Sequence, residues 1–133
     1  MSQENINLIN KIYDAFNSRK YETVLESFNP DFEWVSADSS PLADRSPYHG
    51  IQEVREGVFG RIDAMTEKLT VNVDEIFAAD NKVVVLGYYD TVYRGGAGAP
   101  PTQVAHIWTV TGTRAAKFQQ YVDTLKIYQS THG

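Results

Sequence analysis

His106 and Trp108 are the residues of this chain whose types and spacing best suit chemistry. A histidine side chain has a pKa near physiological pH and can accept or donate a proton, and an indole ring supplies a large apolar wall. The two residues are two positions apart in a run of β-branched and aromatic residues. Because side chains alternate along a strand, both rings are predicted to lie on one sheet face. That face is either a working pocket or a plain aromatic wall.

A β-hairpin is predicted to position this pair. Residues 104–128 contain two β-rich runs that flank a Thr-Gly-Thr turn, which is typical of a hairpin. The second run carries Gln120. Its amide can hold His106 in one tautomer or bind a ligand carbonyl. The alternative is a polar residue on a half-solvated sheet face or a dimer face.

Asp123 is the second candidate catalytic residue after His106. A carboxyl group whose pKa is raised by burial acts as a general acid near neutral pH. The alternatives are structural, because the same side chain can cap a helix end or form an ion pair with Lys126. Strand alternation places Asp123 and Gln120 on opposite sheet faces unless a bulge intervenes.

The composition excludes several classes of function. The 133 residues carry a formal net charge of −5, which disfavours nucleic acid and anionic membrane surfaces as partners. Cysteine is absent, and the histidines and carboxylates show no metal-ligand spacing. No segment approaches the roughly 20 apolar residues of a membrane span, and the N-terminal residues do not resemble a signal peptide. We expect a single cytoplasmic domain over residues 1–133, with no cofactor and no metal.

Hydrophobic periodicity predicts helices in the first half of the chain and strands in the second. The predicted helices cover residues 3–18, 21–28 and 51–65, and the predicted strands cover residues 32–36, 68–79, 83–93 and the hairpin. Pro30 is expected to end the second helix. One face of the second strand is predicted to carry four apolar residues: Leu69, Val71, Val73 and Phe77. This order indicates an α+β fold with helices on one face of a curved sheet.

Six short segments follow one another along nearly the whole chain: Tyr13-Asp-Ala-Phe-Asn, Phe28-Asn-Pro-Asp-Phe-Glu-Trp, His49-Gly-Ile-Gln-Glu-Val, Val83-Val-Val-Leu-Gly-Tyr, Ala105-His-Ile-Trp and Phe118-Gln-Gln-Tyr-Val-Asp-Thr. Their order and spacing resemble the SnoaL-like proteins of the nuclear transport factor 2 superfamily. The resemblance implies a cone-shaped, curved mixed β-sheet, largely a β-meander, wrapped around a pocket. Three helices of the N-terminal half would close this cystatin-like α+β barrel, and a homodimer would pack through the sheet.

The resemblance also bears on individual residues. In SnoaL-type polyketide cyclases, a strand histidine works with an aspartate on the next strand. The histidine matches His106, but the aspartate position is Gln120 here. When ketosteroid isomerase is aligned with the chain, its oxyanion tyrosine falls at Ile12, next to Tyr13, and its general base falls at Ser36, so both roles are lost. The residues expected to line a ligand pocket are Tyr13, Trp34, Ser36, Phe59, Trp108 and Gln120. The tyrosines that could direct a hydroxyl into the pocket are Tyr13, Tyr88, Tyr89 and Tyr121.

Two main functions are compatible with these residues, since the superfamily includes both enzymes and binding domains. The first is a cofactor-free isomerase, cyclase or dehydratase acting on a small apolar carbonyl or hydroxyl compound. In it, His106 would transfer protons and Gln120 or Asp123 would orient it. The second is a non-catalytic domain that binds a small apolar or weakly polar ligand in the same pocket. A third alternative is a dimerisation module. A carboxylate beside His106 in one cavity favours the enzyme, and Gln120 alone favours binding.

Overall fold

One curved β-sheet and the helices on its concave face account for most of the chain. The computed structural model describes residues 2–132, and the side chains of residues 3–130. The helices are α1 (Ser2–Asn17), α2 (Tyr21–Glu26), α3 (Gly50–Val54), α4 (Gly60–Met65) and α5 (Thr124–His132), with a 3-10 turn at Ala43–Arg45 and a π-helical segment at Arg55–Phe59. The strands are β1 (Phe28–Val35), β2 (Tyr48–His49), β3 (Thr66–Ala79), β4 (Lys82–Tyr93), β5 (Thr102–Thr111) and β6 (Arg114–Val122).

The six strands form one mixed sheet in the order β2-β1-β6-β5-β4-β3. Strands β3 to β6 form an antiparallel meander, and β1 pairs in parallel with β6. Antiparallel neighbours need only short turns, whereas the parallel pair is joined through most of the chain. Along β5, buried and more exposed residues alternate, so His106 and Trp108 face the core together. This architecture confirms the predicted α+β fold with a curved mixed sheet.

Aromatic rings fill the core at the β1 end of the sheet. Phe28 and Phe32 stack with their ring centroids 3.8 Å apart, and Trp34 lies 4.1 Å from Phe118. The rings of Trp34 and of Phe59 from the helical layer are also perpendicular, with their centroids 5.5 Å apart. Such large, interlocked rings have few alternative packings, so this part of the core is a firm wall.

A bulge in β3 changes which of its residues face the core. Leu69 and Val71 face inward as predicted. The register with β4 then shifts between Val73 and Glu75, and Phe77 is 47% exposed. The prediction that Phe77 shares the inward face was therefore wrong, because one extra residue in a bulge reverses the alternation of side chains.

The boundary between the second helix and the first strand lies earlier than the periodicity predicts. Helix α2 ends at Glu26, and Phe28 already pairs with Ala115 of β6. Pro30 lies inside β1, so the prediction that it ends the helix was wrong. The proline is tolerated because the pairing with β6 shifts register between Phe28 and Glu33.

The C-terminal run is not β throughout. Strand β6 ends at Val122, and α5 follows from Thr124. The prediction of β-structure as far as residue 128 was therefore wrong. The side chain of Asp123 accepts a hydrogen bond of 3.1 Å from the amide of Lys126, which satisfies one of the free amides at the start of a helix. This local cap favours the change from strand to helix.

The third predicted helix runs from α3 through the π-helical segment to α4. Gly57 lies in the π-helical part against the ring of Tyr48, where a Cβ would come within 2.5 Å of the ring. The glycine therefore permits close packing. None of the helices in the described part of the chain combines the length and the apolar character that crossing a membrane requires.

Candidate functional site

A cavity of about 110 Å³ lies between the concave face of the sheet and the helices. For scale, a protein cavity of roughly 150 Å³ holds one benzene ring. The cavity wall contains the seven residues that the sequence suggested for a pocket: Tyr13, Trp34, Ser36, Phe59, His106, Trp108 and Gln120. It also contains residues that the sequence did not suggest, which come from two loops and from α5: Ser40, Pro41, Leu42, Ala99 and Ile127.

The cavity wall is mostly apolar, and no charged side chain lines it among the described residues. Its polar groups are hydroxyls, the indole N–H groups of Trp34 and Trp108, the imidazole of His106 and the amide of Gln120. An unpaired charge in such surroundings is costly, so the wall suits neutral molecules. In the described part of the chain, no three His, Asp or Glu residues cluster in a way that could hold a metal ion.

His106 is the centre of a buried hydrogen-bonded chain in this wall. Its Nδ1 lies 2.6 Å from the hydroxyl of Tyr13, and its Nε2 lies 2.7 Å from the hydroxyl of Tyr89. Tyr13 belongs to α1 and Tyr89 to β4, so the chain forms only when the helix packs on the sheet. Both ring nitrogens of His106 are therefore engaged.

The hydrogen bonds at the two ends of this hydrogen-bonded chain each have a fixed donor and a fixed acceptor. Trp108 Nε1 donates to the Tyr13 hydroxyl at 2.9 Å, and an indole N–H can only donate. At the other end, the backbone amide of Ala37 donates to Gln120 Oε1 at 3.0 Å. This bond turns the amide group of Gln120 so that its Nε2 donates to the Tyr89 hydroxyl at 2.8 Å. Each tyrosine oxygen thus accepts one hydrogen bond that cannot be reversed.

Burial keeps the side chains of His106, Tyr13 and Tyr89 neutral. It lowers the pKa of His106 to about 3 and raises the pKa of Tyr13 and of Tyr89 above the usual value for a phenol. At neutral pH the imidazole therefore carries one N–H, and both phenols keep their protons. None of the three changes charge near pH 7.

One tyrosine O–H is not used in the hydrogen bonds to His106, as a count of the available hydrogens shows. Each of the two contacts to the imidazole of His106 uses one hydrogen. The neutral ring supplies one of them and one phenol supplies the other. The hydrogen left over belongs to Tyr13 in the Nδ1–H tautomer and to Tyr89 in the Nε2–H tautomer. Both tyrosines line the cavity, and the hydrogen left over has no partner within the hydrogen-bonded chain.

Two serines add polar groups to the same wall. Ser36 Oγ accepts a hydrogen bond of 3.2 Å from Trp34 Nε1. Ser40 Oγ is buried and has no hydrogen-bond partner among the described residues. A buried hydroxyl without a partner is unfavourable, so Ser40 is a second point at which a polar ligand group can be accommodated.

The loop that contributes residues 40–42 to the wall is fastened to α4 by Arg61. The guanidinium group contacts the carboxylate of Asp44 at 2.8 and 3.3 Å and the carbonyl of Pro41 at 3.2 Å. It also donates to the hydroxyl of Tyr48 at 3.2 Å, and that hydroxyl donates to the carbonyl of Leu42 at 2.6 Å. These bonds fix the loop over one side of the cavity.

Asp123, the second catalytic candidate from the sequence, does not line the cavity. It is exposed, and its carboxylate accepts the amide of Lys126 at the start of α5. Its position matches the helix-cap alternative. The direct cross-strand partner of His106 is Gln120, because a register shift between Thr109 and Val110 moves the pairing by one residue from that at the turn.

The sequence did not single out two of the site's polar residues. Tyr89 was one of four candidate tyrosines, and it shares its strand parity with Val85, which pairs with His106. The pairing register would have selected it. Ser40 lies in an irregular loop, where no periodicity indicates which side chains point inward.

Comparison with known proteins gives the family. The model of a family described as SnoaL-like domain matches residues 9–118, most of the chain. The protein belongs to the SnoaL-like family. No curated protein matches this SnoaL-like domain in a sequence comparison.

Solved structures of low sequence identity share the fold of this SnoaL-like domain. An NTF2-like protein of unknown function from Burkholderia pseudomallei K96243 superposes with a TM-score of 0.87 at 24% identity, covering 98% of each chain. TerC, co-crystallized with polyporic acid, gives 0.86 at 22% identity, covering 98% of this chain and 99% of TerC. A putative SnoaL-like polyketide cyclase from Jannaschia sp. CCS1 superposes with a TM-score of 0.82 at 14% identity, covering 97% of this chain and 92% of the cyclase chain. These likenesses show the fold alone.

Proposed function

We propose that this SnoaL-like domain binds a small, neutral, largely apolar molecule that carries an oxygen acceptor such as a carbonyl. The observation that carries the proposal is the spare tyrosine O–H beside His106 in an uncharged aromatic cavity. The apolar wall supplies most of the affinity, and the O–H orients the ligand by its oxygen. The cavity volume of about 110 Å³ lies below the roughly 150 Å³ that holds benzene, so it favours a molecule with no more than one six-membered ring, whose substituents reach toward the open side of the cavity.

Two observations support binding over turnover by an isomerase, cyclase or dehydratase. General acid–base catalysis is most effective when the pKa of the group lies near the working pH, whereas burial lowers that of His106 to about 3. The usual second member of a proton-transfer pair is a carboxylate, and the described cavity wall contains Gln120 where one was expected. An amide does not exchange protons near neutral pH.

The binding experiment uses acetophenone as a neutral acceptor, ethylbenzene as its analogue without oxygen, and benzoate as an anion of similar size. Calorimetry and thermal unfolding should show that acetophenone binds more tightly than ethylbenzene and that benzoate binds weakest. A difference of about 1.4 kcal/mol in binding free energy between two compounds corresponds to about a tenfold difference in Kd. Benzoate binding as tightly as acetophenone would contradict the proposal, as would the absence of binding by all three.

A matched pair of variants tests whether the cavity is the site. Val71 is 5% exposed and lines the cavity, so Val71→Phe should fill part of it and weaken acetophenone binding. Val73 lies on the same strand and is 36% exposed, so Val73→Phe should leave binding unchanged. If Val71→Phe unfolds, chemical-shift changes of the wild-type His106 and Tyr89 signals on adding acetophenone give the same answer. Unperturbed signals at saturation would place the site elsewhere.

We also infer that a second copy of the chain covers the convex face of the sheet. An apolar row crosses three strands there, where Phe77 pairs with Val84 and Val84 pairs with Ile107. Phe77 and Tyr121 on this face are 47% and 54% exposed, which favours contact with another protein surface. Size-exclusion chromatography with light scattering should find a dimer for the wild type. Ile107→Lys should give a monomer, and Asn10→Lys, at an exposed position of α1 away from the sheet, is the control. A monomeric wild type would refute the inference.

A further inference from the structure

The two tyrosine hydroxyls in the cavity wall always have opposite roles toward a bound molecule. In the Nδ1–H tautomer, His106 donates to Tyr13, and Tyr89 donates to Nε2. The Tyr13 oxygen then accepts from both Trp108 and His106, and its own hydrogen is available. The Tyr89 oxygen accepts from Gln120 and keeps one acceptor position.

The Nε2–H tautomer reverses these roles. Nε2 of His106 now donates to Tyr89, whose oxygen accepts two hydrogen bonds and whose hydrogen is available. Tyr13 donates to Nδ1, accepts from Trp108 and keeps one acceptor position. In either tautomer the cavity therefore presents one O–H donor on one side of the imidazole and one acceptor on the other.

The donors at the two ends of the hydrogen-bonded chain have fixed directions. The tautomer of His106 is therefore the only feature of that hydrogen-bonded chain that can still vary. The indole N–H of Trp108 and the backbone amide of Ala37 can only donate, and the latter fixes the orientation of Gln120. The two neighbouring tyrosines must then follow the ring. A protonated imidazole would offer two donors to them, but no carboxylate in the described cavity wall is present to stabilise that cation.

We propose that the cavity selects neutral compounds that carry both a hydroxyl and a carbonyl oxygen, and that the orientation of the bound compound sets the tautomer of His106. The ligand hydroxyl donates to the tyrosine with the open acceptor position, and the ligand carbonyl accepts from the other tyrosine. The reverse orientation requires the reverse tautomer, so the orientation that the rest of the cavity wall favours decides which tautomer His106 adopts in the bound state. The inference rests on the proposed binding function and adds the class of ligand to it.

A series of four related single-ring probes measures the two oxygens separately: ethylbenzene, acetophenone, 4-ethylphenol and 4-hydroxyacetophenone. A single hydrogen bond contributes about three- to tenfold in affinity. Acetophenone and 4-ethylphenol should each bind about three- to tenfold more tightly than ethylbenzene, and 4-hydroxyacetophenone should exceed both. A 3-hydroxyacetophenone arm tests whether a different spacing of the oxygens fits better. If neither hydroxyacetophenone binds more tightly than acetophenone, the inference is overturned while the proposed binding function stands.

Variants at the two hydroxyls test the assignment to these residues. Tyr13→Phe and Tyr89→Phe each remove one of the two polar contacts, so the advantage of 4-hydroxyacetophenone over the better of the two single-oxygen probes should disappear in both. Tyr88→Phe is the matched control, because Tyr88 is next to Tyr89 in β4 and does not line the cavity. An advantage that survives in both variants, or is lost equally in Tyr88→Phe, would overturn the inference.

A measurement on the wild-type protein keeps the inference testable if the variants fail to fold. With ¹⁵N-labelled histidine, NMR distinguishes the protonated from the unprotonated ring nitrogen of His106. Saturation with 4-hydroxyacetophenone should shift the ring toward one tautomer, whereas ethylbenzene should leave the free-state populations unchanged. Binding of the hydroxyketone without any change in the ring-nitrogen signals would overturn the coupling. If none of the four probes binds, the proposed function fails as well.

Discussion

Gln120 is the direct cross-strand partner of His106, yet its amide reaches the imidazole through the hydroxyl of Tyr89. The Tyr89 hydroxyl accepts from Gln120 and also contacts His106, so it links the two groups by hydrogen bonds without adding a charge. The imidazole therefore sits in a neutral chain, which is why burial dominates its pKa.

Gln120→Glu should raise the pKa of His106. A carboxylate within a few ångströms favours the charged imidazole, and such neighbours shift a pKa by about 1–3 units. NMR titration of the His106 ring signals measures the change. Gln119→Glu is the control, because Gln119 pairs with Ile107 on the opposite sheet face. An equal rise in both variants would show that the effect is one of net charge and not of this contact.

His106 should make the protein less stable in mild acid. Burial lowers its pKa from 6.5 to about 3, so the unfolded state binds the proton first as the pH falls. The neutral, buried His106 makes its full contribution to the free energy of unfolding above about pH 6.5. That contribution is lost as the pH falls toward 3, at about 1.4 kcal/mol per pH unit. Urea unfolding between pH 7 and 4 should show a shallower dependence for His106→Gln than for the wild type. His49→Gln, at an exposed position, is the control. Identical slopes in wild type and His106→Gln would refute the prediction.

Asp123 should contribute to stability and not to ligand binding. Its carboxylate accepts the amide of Lys126, and removal of such a cap costs about 1 kcal/mol. Asp123→Ala should lower the free energy of unfolding by that amount, whereas Asp123→Asn keeps an acceptor and should be close to wild type. Acetophenone affinity should be unchanged in both. A tenfold loss of affinity without loss of stability would instead restore a role for Asp123 at the site.

Gly87 should be essential for the pairing of β3 with β4. A Cβ at this position would overlap the backbone carbonyl of Asn72, which cannot move without displacing the strand. We expect Gly87→Ala to lower the free energy of unfolding by at least about 2 kcal/mol, in the range of strong overpacking. At Gly98 a Cβ meets no atom within 4 Å, so Gly98→Ala should stay within about 0.5 kcal/mol. Thermal unfolding compares the two, and similar losses of stability would show the steric argument to be wrong.

Arg61 should hold the loop that covers the cavity. Arg61→Ala removes the contacts to Asp44, Pro41 and Tyr48, so amides of residues 40–46 should exchange hydrogen faster. Acetophenone should also bind more weakly, because that loop forms part of the cavity wall. Arg55→Ala is the control, since Arg55 pairs with Glu22 outside the loop. Unchanged exchange in Arg61→Ala would show that the loop is held by other contacts.

Much of the fold was predictable because its signals are local. Alternation along β5 put His106 and Trp108 on one face, and helical spacing located α1 and the helix that includes Phe59. The errors arose where pairing overrides propensity. The bulge after Val73 turned Phe77 outward, and pairing with β6 drew Phe28 into a strand.

The sequence by itself determined that Gln120 stands where the resemblance to the SnoaL-type cyclases expects an aspartate. That Gln120 lies opposite His106 depends on a bulge next to Thr109, which shifts the hairpin register by one residue. The sequence also determined that the site is rich in aromatic rings. Only the tertiary structure decided that Tyr13 and Tyr89 occupy the two nitrogens of His106. Those residues are 93 and 17 positions from His106 along the chain, and their meeting depends on how the helix packs against the curved sheet. The same packing buries the imidazole and makes it neutral, a property that no local pattern of residues encodes.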